Sequence, residues 1–389
     1  MTVRVPAPSR ATGSYRAAMA TIDKQKVRQL VDRARREVDE GLLPSCQVAL
    51  GFEGELVTFE TFGDATPDTR YCLYSATKAI VASGVWTLID DGLLDVSRPV
   101  ADYLPAFAVN GKDQVTVEQV MLHTSGFPNA PLGPGRWSTS ESRLEAMSAW
   151  TLDWPPGSRY VYHATSAHWV LAELITFLSG RDYRDHLVER VTGPAGRPRL
   201  VGVPLAEQGT CATALLVGEE ATPEEIHATF GVRQLIGREF IEELVLWFNE
   251  PEAREVGVPG AGGFGRAADL ALYYQELLHN PNGIWKPELL ADVTGHVRSR
   301  LPDPMNVPAN RSLGLLLAGD DGFANLRGLG RTVSPGAFGH NGAGGQLAWA
   351  DPATGLSLGY TTNGYDRHAV RQPRRGTSIG SIAGECATA

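Results

Sequence analysis

The sequence predicts an α+β fold: an antiparallel sheet flanked by N- and C-terminal helices, with a largely helical part inserted between its strands. Three observations predict it. β-type runs separated by turn residues occur at 45–63 and again at 344–364. Helix-period runs fill the chain between them, and an amphipathic helix precedes the first pair. Strands at both ends around a helical middle imply one sheet assembled from both termini, with helices layered against it.

In residues 22–40, Val27, Leu30, Val31 and Ala34 recur at helical spacing, and Asp23 stands near the start. Pro44 leads into SCQVALGF; Glu53-Gly54 and ELVTFETFG follow. That is a strand–turn–strand pattern. From Ser75 to Asp91 the residues are apolar on most faces, the mark of a buried helix. Gly92 is its expected stop. Residues 93–300 hold more helices between Pro/Gly-rich segments, at 165–178, 238–249 and 266–278. GGQLAWAD and LSLGYTTNG flank Asp351-Pro352-Ala353-Thr354-Gly355, a turn signal that makes a second hairpin. The tail from Asp366 to Ala389 fits a helix, with Pro373 and two small-residue runs counting against it. Residues 1–21 are expected to form an N-terminal tail. Residues 22–389 are then expected to form one unit, its sheet part near 22–74 and 310–389 and its helical part near 75–309.

The chain has 389 residues, 43% hydrophobic and 20% charged, proportions of a globular enzyme. No run approaches the ~18–20 apolar residues of a membrane span. The segment carrying Arg4, Arg10 and Arg16 lacks the apolar stretch of a secretory signal. A cytoplasmic protein with no membrane partner is expected. The net charge of −9 disfavours a nucleic-acid partner. Cys46, Cys72, Cys211 and Cys386 are far apart and read as reduced, buried small hydrophobes. The scattered histidines have no metal-ligand spacing, so neither metal nor organic cofactor is expected. The oligomeric state is not legible.

Ser75-Ala76-Thr77-Lys78 carries the first chemical signal. Positions i and i+3 share a helix face, with Cβ atoms about 5–6 Å apart. A serine hydroxyl needs a base to become a nucleophile. Lysine serves only after losing a proton, which burial in apolar surroundings promotes. Of 35 basic residues only five are lysines, and Lys78 lies in the most apolar helix. Arginine cannot replace it, because it does not deprotonate in proteins. The competing reading is a helix-start serine and a lysine that snorkels to solvent. The tetrad alone does not choose between them.

Two further segments matter. PPGSRYVYHATSAHWVLAELI (155–175) places Tyr160 and Tyr162 after a turn and before a helix. A tyrosine beside Lys78 can act as a phenolate base, though a core tyrosine is commoner. FGHNGAGGQLAWADP (338–352) opens a strand with glycines. Its edge can offer one amide N–H and Ser75 the other, as an oxyanion hole. Gly-rich strand starts also mark simple bulges.

In this order the three segments resemble the serine β-lactamase-like superfamily, nearest to class C β-lactamases and family VIII carboxylesterases. The resemblance spans roughly residues 22–385. It includes DDGLLDVSRPVADYLPAF (90–107), VTVEQVMLHTSGFP (115–128) and NEPEAREVGVPGAGGFGRAADLALYYQELL (249–278). It implies the β-lactamase/transpeptidase-like fold, Ser75 as nucleophile, and Lys78 with Tyr162 as its base system. The amides of Ser75 and Ala343 would form the oxyanion hole. His340 stands where the β-lactamases carry the lysine of K-T-G, and His123 is structural by the same resemblance. Two departures narrow the substrate. The β-lactamase pattern Tyr-x-Asn reads Tyr162-His163-Ala164 here, so the amide-gripping Asn is lost. A neutral His340 attracts a carboxylate less than a lysine does.

The expected activity is therefore a carboxylesterase acting on small or medium acyl esters through an acyl-enzyme at Ser75. An acyltransferase using the same acyl-enzyme is one alternative, and a β-lactamase or D-amino-acid amidase another. The expected partner is a small-molecule ester or acyl substrate. Its binding surface is expected to include His340, Gly342 and Ala164. Phe127, Trp137, Trp247 and Trp349 are candidate walls of an acyl pocket, although such aromatics are more often core. The segment 196–248 is expected to wall the site.

Overall fold

Strand β1 (Ser45–Phe52) is buried along nearly its whole length because both its faces are covered. It pairs antiparallel with β2 (Glu55–Gly63) through the expected hairpin. The computed structural model describes residues 20–233 and 238–388. Residues 1–19, most of the expected tail, lie outside the described residues. Thr21 is not part of that tail: with Ile22 it pairs to Thr388 and Ala387 near the C-terminus.

The sheet is completed from the other end of the chain. Strands β3 (Leu316–Leu317), β4 (Phe338–Gly339), β5 (Leu347–Asp351) and β6 (Leu356–Thr362) join it in the order β2-β1-β6-β5-β4-β3, with every neighbouring pair antiparallel. The second hairpin is thus inserted beside the first, and β6 lies at the centre between β1 and β5.

Side chains alternate across these strands. Val48 and Leu50 of β1, Trp349 of β5, and Leu358 and Tyr360 of β6 point to one face. There they meet Leu30 and Ala34 of helix α1 (Lys24–Asp39) and Ile379 and Ala383 of the C-terminal helix. Asp23 caps α1, accepting from the amides of Gln25 and Lys26. The C-terminal helix runs Arg371–Gly384. Pro373 falls in its first turn, where the missing N–H has no helical partner to lose, so it does not block the helix.

The other sheet face meets the inserted helical part. Helix α2 (Thr77–Asp90) has every residue from Thr77 to Leu88 buried, and Gly92 ends its following turn at φ +71°. Helix α3 (Ser166–Ser179) packs across α2. Helix α4 (Arg238–Trp247) lies along one wall. Helix α5 (Ala267–His279) presses Ala267 and Ala271 onto Ala49 of the sheet. We number the C-terminal helix α6. No helix among the described residues is long and apolar enough to cross a membrane. All four cysteines are free thiols; three are buried and Cys211 is partly exposed.

Candidate active site

Between Tyr71 and Leu88 only Ser75 is not buried. The short strand Tyr71–Cys72, paired with Phe264–Gly265, delivers the chain to this point. Tyr74 then turns at φ +45°, a backbone state uncommon outside glycine. Its ring packs edge-on to Phe248 at 5.9 Å, part of the packing that holds the turn. Such strain survives only where surrounding contacts over-determine it. The turn brings Ser75 to the surface, inside a single 3₁₀ turn (Tyr74–Ala76) that runs into α2.

Lys78 is fully buried one turn later. Its Nζ lies 2.6 Å from the carbonyl oxygen of Ala164, 2.6 Å from that of Gly260 and 3.3 Å from Ser75 Oγ. Burial, aided by the charge of Arg311, pushes its pKa well below the ordinary lysine value. A neutral amine has two N–H groups and one lone pair. The two carbonyls can take both hydrogens, which leaves the lone pair facing Ser75. Gly260 is needed for this cradle, since a Cβ there would stand 2.8 Å from the Ala164 oxygen.

Tyr162 lies beside the pair. Lys78 Nζ sits 4.9 Å from its ring centroid and the Arg311 guanidinium carbon 5.5 Å. Burial raises the Tyr162 pKa; Arg311 and the Ser75 hydroxyl oppose that rise. The His340 ring is 6.1 Å from Tyr162, and the His123 ring 4.8 Å. His340 is 3% exposed, Nδ1 is 3.0 Å from the Asn341 carbonyl oxygen, and Nε2 has no hydrogen-bond partner. His123 accepts at Nδ1 from the amide of His163. His163 in turn clamps two loops: Nδ1 meets the Val161 carbonyl, while Nε2 meets Ser125 Oγ and accepts from the Phe127 amide.

The glycine-rich turn after β4 abuts the segment that leads into Ser75. A Cβ on Gly342 would stand 2.2 Å from the Leu73 carbonyl oxygen, so the close approach that needs glycine here is to protein backbone. Ala343 begins the following 3₁₀ turn. Buried Gln346 ties the two segments: its Nε2 donates to the carbonyls of Cys72 and Thr362, and its Oε1 accepts from the Thr362 amide. With its side-chain amide turned so that the oxygen faces them, Gln372 of α6 accepts from the amides of Gly344 and Gly345 and steadies the same turn.

Ala164 also connects Lys78 to a cavity of about 550 Å³. Trp137, Trp169, Trp247, Leu244 and Val258 line it, with Glu243 at the rim. The Trp137 and Trp247 rings meet at 4.3 Å. Two of the four candidate aromatics are therefore at this wall, and α4 brings part of the 196–248 segment to it. The other two are not. Trp349 is buried under the terminal helices, on the opposite face of the sheet. Its alternation with Ala348 and Ala350 puts it there. Phe127 is 1% exposed and packs against Phe107 and Trp150 behind this cavity.

Reading by sequence missed Arg311, Gln346, Gly260 and the turn at Tyr74. Gln346 left a signal, a polar residue leading into an apolar strand. Tyr74 left none.

The buried histidines predict an acid response. Burial lowers His163 to about 4 and pushes His123, His168 and His340 well below the usual value. The unfolded chain binds these protons first, near pH 6.5. Stability is thus full above that value and is lost as pH falls toward 4. His163 alone should withdraw about 3 kcal/mol by pH 4. Urea midpoints measured from pH 7 to 4.5 should fall steadily; a flat series would mean these rings are not neutral in the fold.

The beta-lactamase family model matches residues 24–378. The chain is 29% identical over 315 residues to "Esterase/beta-lactamase LipL" of Mycobacterium tuberculosis, covering 76% of this chain and 70% of that protein. Among solved structures it resembles a family VIII carboxylesterase with a TM-score of 0.71 and 25% identity, over 93% of this chain and 100% of the other. It resembles a penicillin-binding protein homolog from Caulobacter crescentus with a TM-score of 0.76 and 24% identity, over 95% and 100%. The last likeness speaks to the fold alone.

Proposed function

Because the chain belongs to the beta-lactamase family, and is a hydrolase of that superfamily with esterases among its relatives, we propose that it is a serine carboxylesterase. The observation that carries the reading is the Lys78 amine, fully buried, bound to two carbonyls and 3.3 Å from Ser75, the partly exposed serine of its segment.

In this reading Ser75 Oγ attacks the ester carbonyl and its proton passes to Lys78. The amides of Ser75 and Ala343 hold the oxyanion, and Tyr162 relays the proton to the departing alkoxide. Water then attacks the acyl-enzyme by the reverse route, releasing the acid. Lys78 suits the base role because burial keeps its amine poised to accept a proton. The aromatic cavity beside Ala164 takes the acyl chain. Glu243 at its rim disfavours an anionic acyl group, which supports neutral esters over carboxylate-bearing β-lactams.

Wild-type protein should gain one fluorophosphonate adduct by intact mass and hydrolyse p-nitrophenyl esters. Its kcat/KM should rise by up to about fourfold per methylene until the cavity fills. Trp247→Ala should move that optimum to longer chains. Nitrocefin hydrolysis rivalling ester turnover, or no adduct on Ser75, would sink the assignment.

A further inference from the structure

Of the five buried arginines among the described residues, three meet a carboxylate: Arg143 meets Glu173, Arg327 meets Asp321, and Arg375 meets Glu37 and Asp366; Arg254, 8% exposed, donates to the Phe248 carbonyl and lies away from Tyr162, over the Phe264 ring. Arg311, 3% exposed, meets none among the described residues. Its Nε and Nη2 donate to the Tyr160 hydroxyl at 3.2 and 2.9 Å, and its Nη1 has no hydrogen-bond partner. Burying a charge without a counter-charge is costly, and the field of such a charge acts unopposed on its neighbours.

That field falls on the reacting groups. Arg311 and Lys78 both flank the Tyr162 ring, at 5.5 and 4.9 Å from its centroid. The other titratable groups around them are Tyr160, Tyr162 and His163 from the segment before α3, His168 from α3, His123 from the loop beneath, and His340 from the end of β4. All four imidazoles are pushed toward neutrality by burial. Arg311 is then the permanent positive charge of the cluster.

We propose that Arg311 is a positioning residue of this site: its guanidinium, buried against the Tyr162 ring without a carboxylate, biases the Lys78–Tyr162 pair against holding an extra proton. The inference rests on the reading of Ser75, Lys78 and Tyr162 given above. The pair must take up the Ser75 proton as Oγ bonds to the electrophile, and a pair already protonated cannot. Removing the Arg311 charge lets the extra proton stay on to higher pH. With the two cations no more than about 10 Å apart, the shift should be about one pH unit at an effective dielectric near 20. The pair titrates as a unit, so the shift belongs to both groups.

The test is the pH dependence of Ser75 labelling by a fluorophosphonate, read by intact mass. The step forms Oγ–P, expels fluoride from phosphorus and gives the serine proton to the pair, so it needs the same base without a chosen ester. In Arg311→Gln the acid limb should move up by about one pH unit. In Arg311→Lys and Tyr160→Phe, which keep a cation, it should stay in place. A limb in folded Arg311→Gln that coincides with wild type overturns the proposal. Should Arg311→Gln fail to fold, Arg311→Met, which also removes the charge, decides: a limb moved up by about one pH unit supports the proposal, and a limb that coincides with wild type overturns it. A wild-type protein that takes no label refutes the Ser75 reading instead.

Discussion

Ser75→Ala should reduce p-nitrophenyl butyrate turnover by about 10⁴-fold or more while leaving the protein as stable as before. The two effects separate because Ser75 is the partly exposed member of an otherwise buried segment. Its hydroxyl makes only a long 3.3 Å contact to Lys78 Nζ, which keeps two carbonyl partners without it, so the change in stability should stay within about 1 kcal/mol. Lys78 keeps its bonds to the Ala164 and Gly260 carbonyls in the variant, so the base remains in place without a nucleophile. Steady-state turnover and the urea midpoint measure the two halves of the expectation. Turnover within tenfold of wild type would remove Ser75 from the chemistry.

Lys78→Met should be nearly as damaging to turnover, for a different physical reason. Methionine fills a similar unbranched volume but has no base. Turnover should fall by about 10³-fold or more, since the Ser75 proton has nowhere to go. Stability is pulled both ways: two buried carbonyls lose a donor, at about 1–3 kcal/mol each, while a buried amine no longer has to shed its hydration. The net change should be about 2 kcal/mol or less, and unfolding in urea reads it. Lys78→Arg should be inactive too, because a guanidinium keeps its proton. An active Lys78→Arg would show that a fixed charge, and not a proton acceptor, is what this position supplies.

The parts of the fold set by local periodicity were legible. α1, α2 and both hairpins follow directly from apolar spacing and turn residues, and α2 is buried as its composition predicts. What periodicity cannot tell is which layer covers a face. Trp349 alternates correctly with Ala348 and Ala350, yet its side belongs to the terminal helices and not to a pocket. Phe127 sits in a loop with no period to read. Arg311 stands beside the Tyr162 ring only because residues about 150 apart meet across the site. The juxtaposition of Ser75 and Lys78 within one tetrad is visible in a string of letters; a charge placed by tertiary contact is not.

The insertion of β6 between β1 and β5 has a consequence for how the molecule is made. The hairpin of β1 and β2 leaves the ribosome about 290 residues before the strand that covers the free edge of β1. At roughly 5–20 residues per second that edge waits about 15–60 s for its partner. For that interval an apolar strand with unpaired amides is open to any other extended chain. Biosynthesis of this protein is therefore a race between completing its own sheet and pairing with the wrong one, and the hairpin of β5 and β6 decides it.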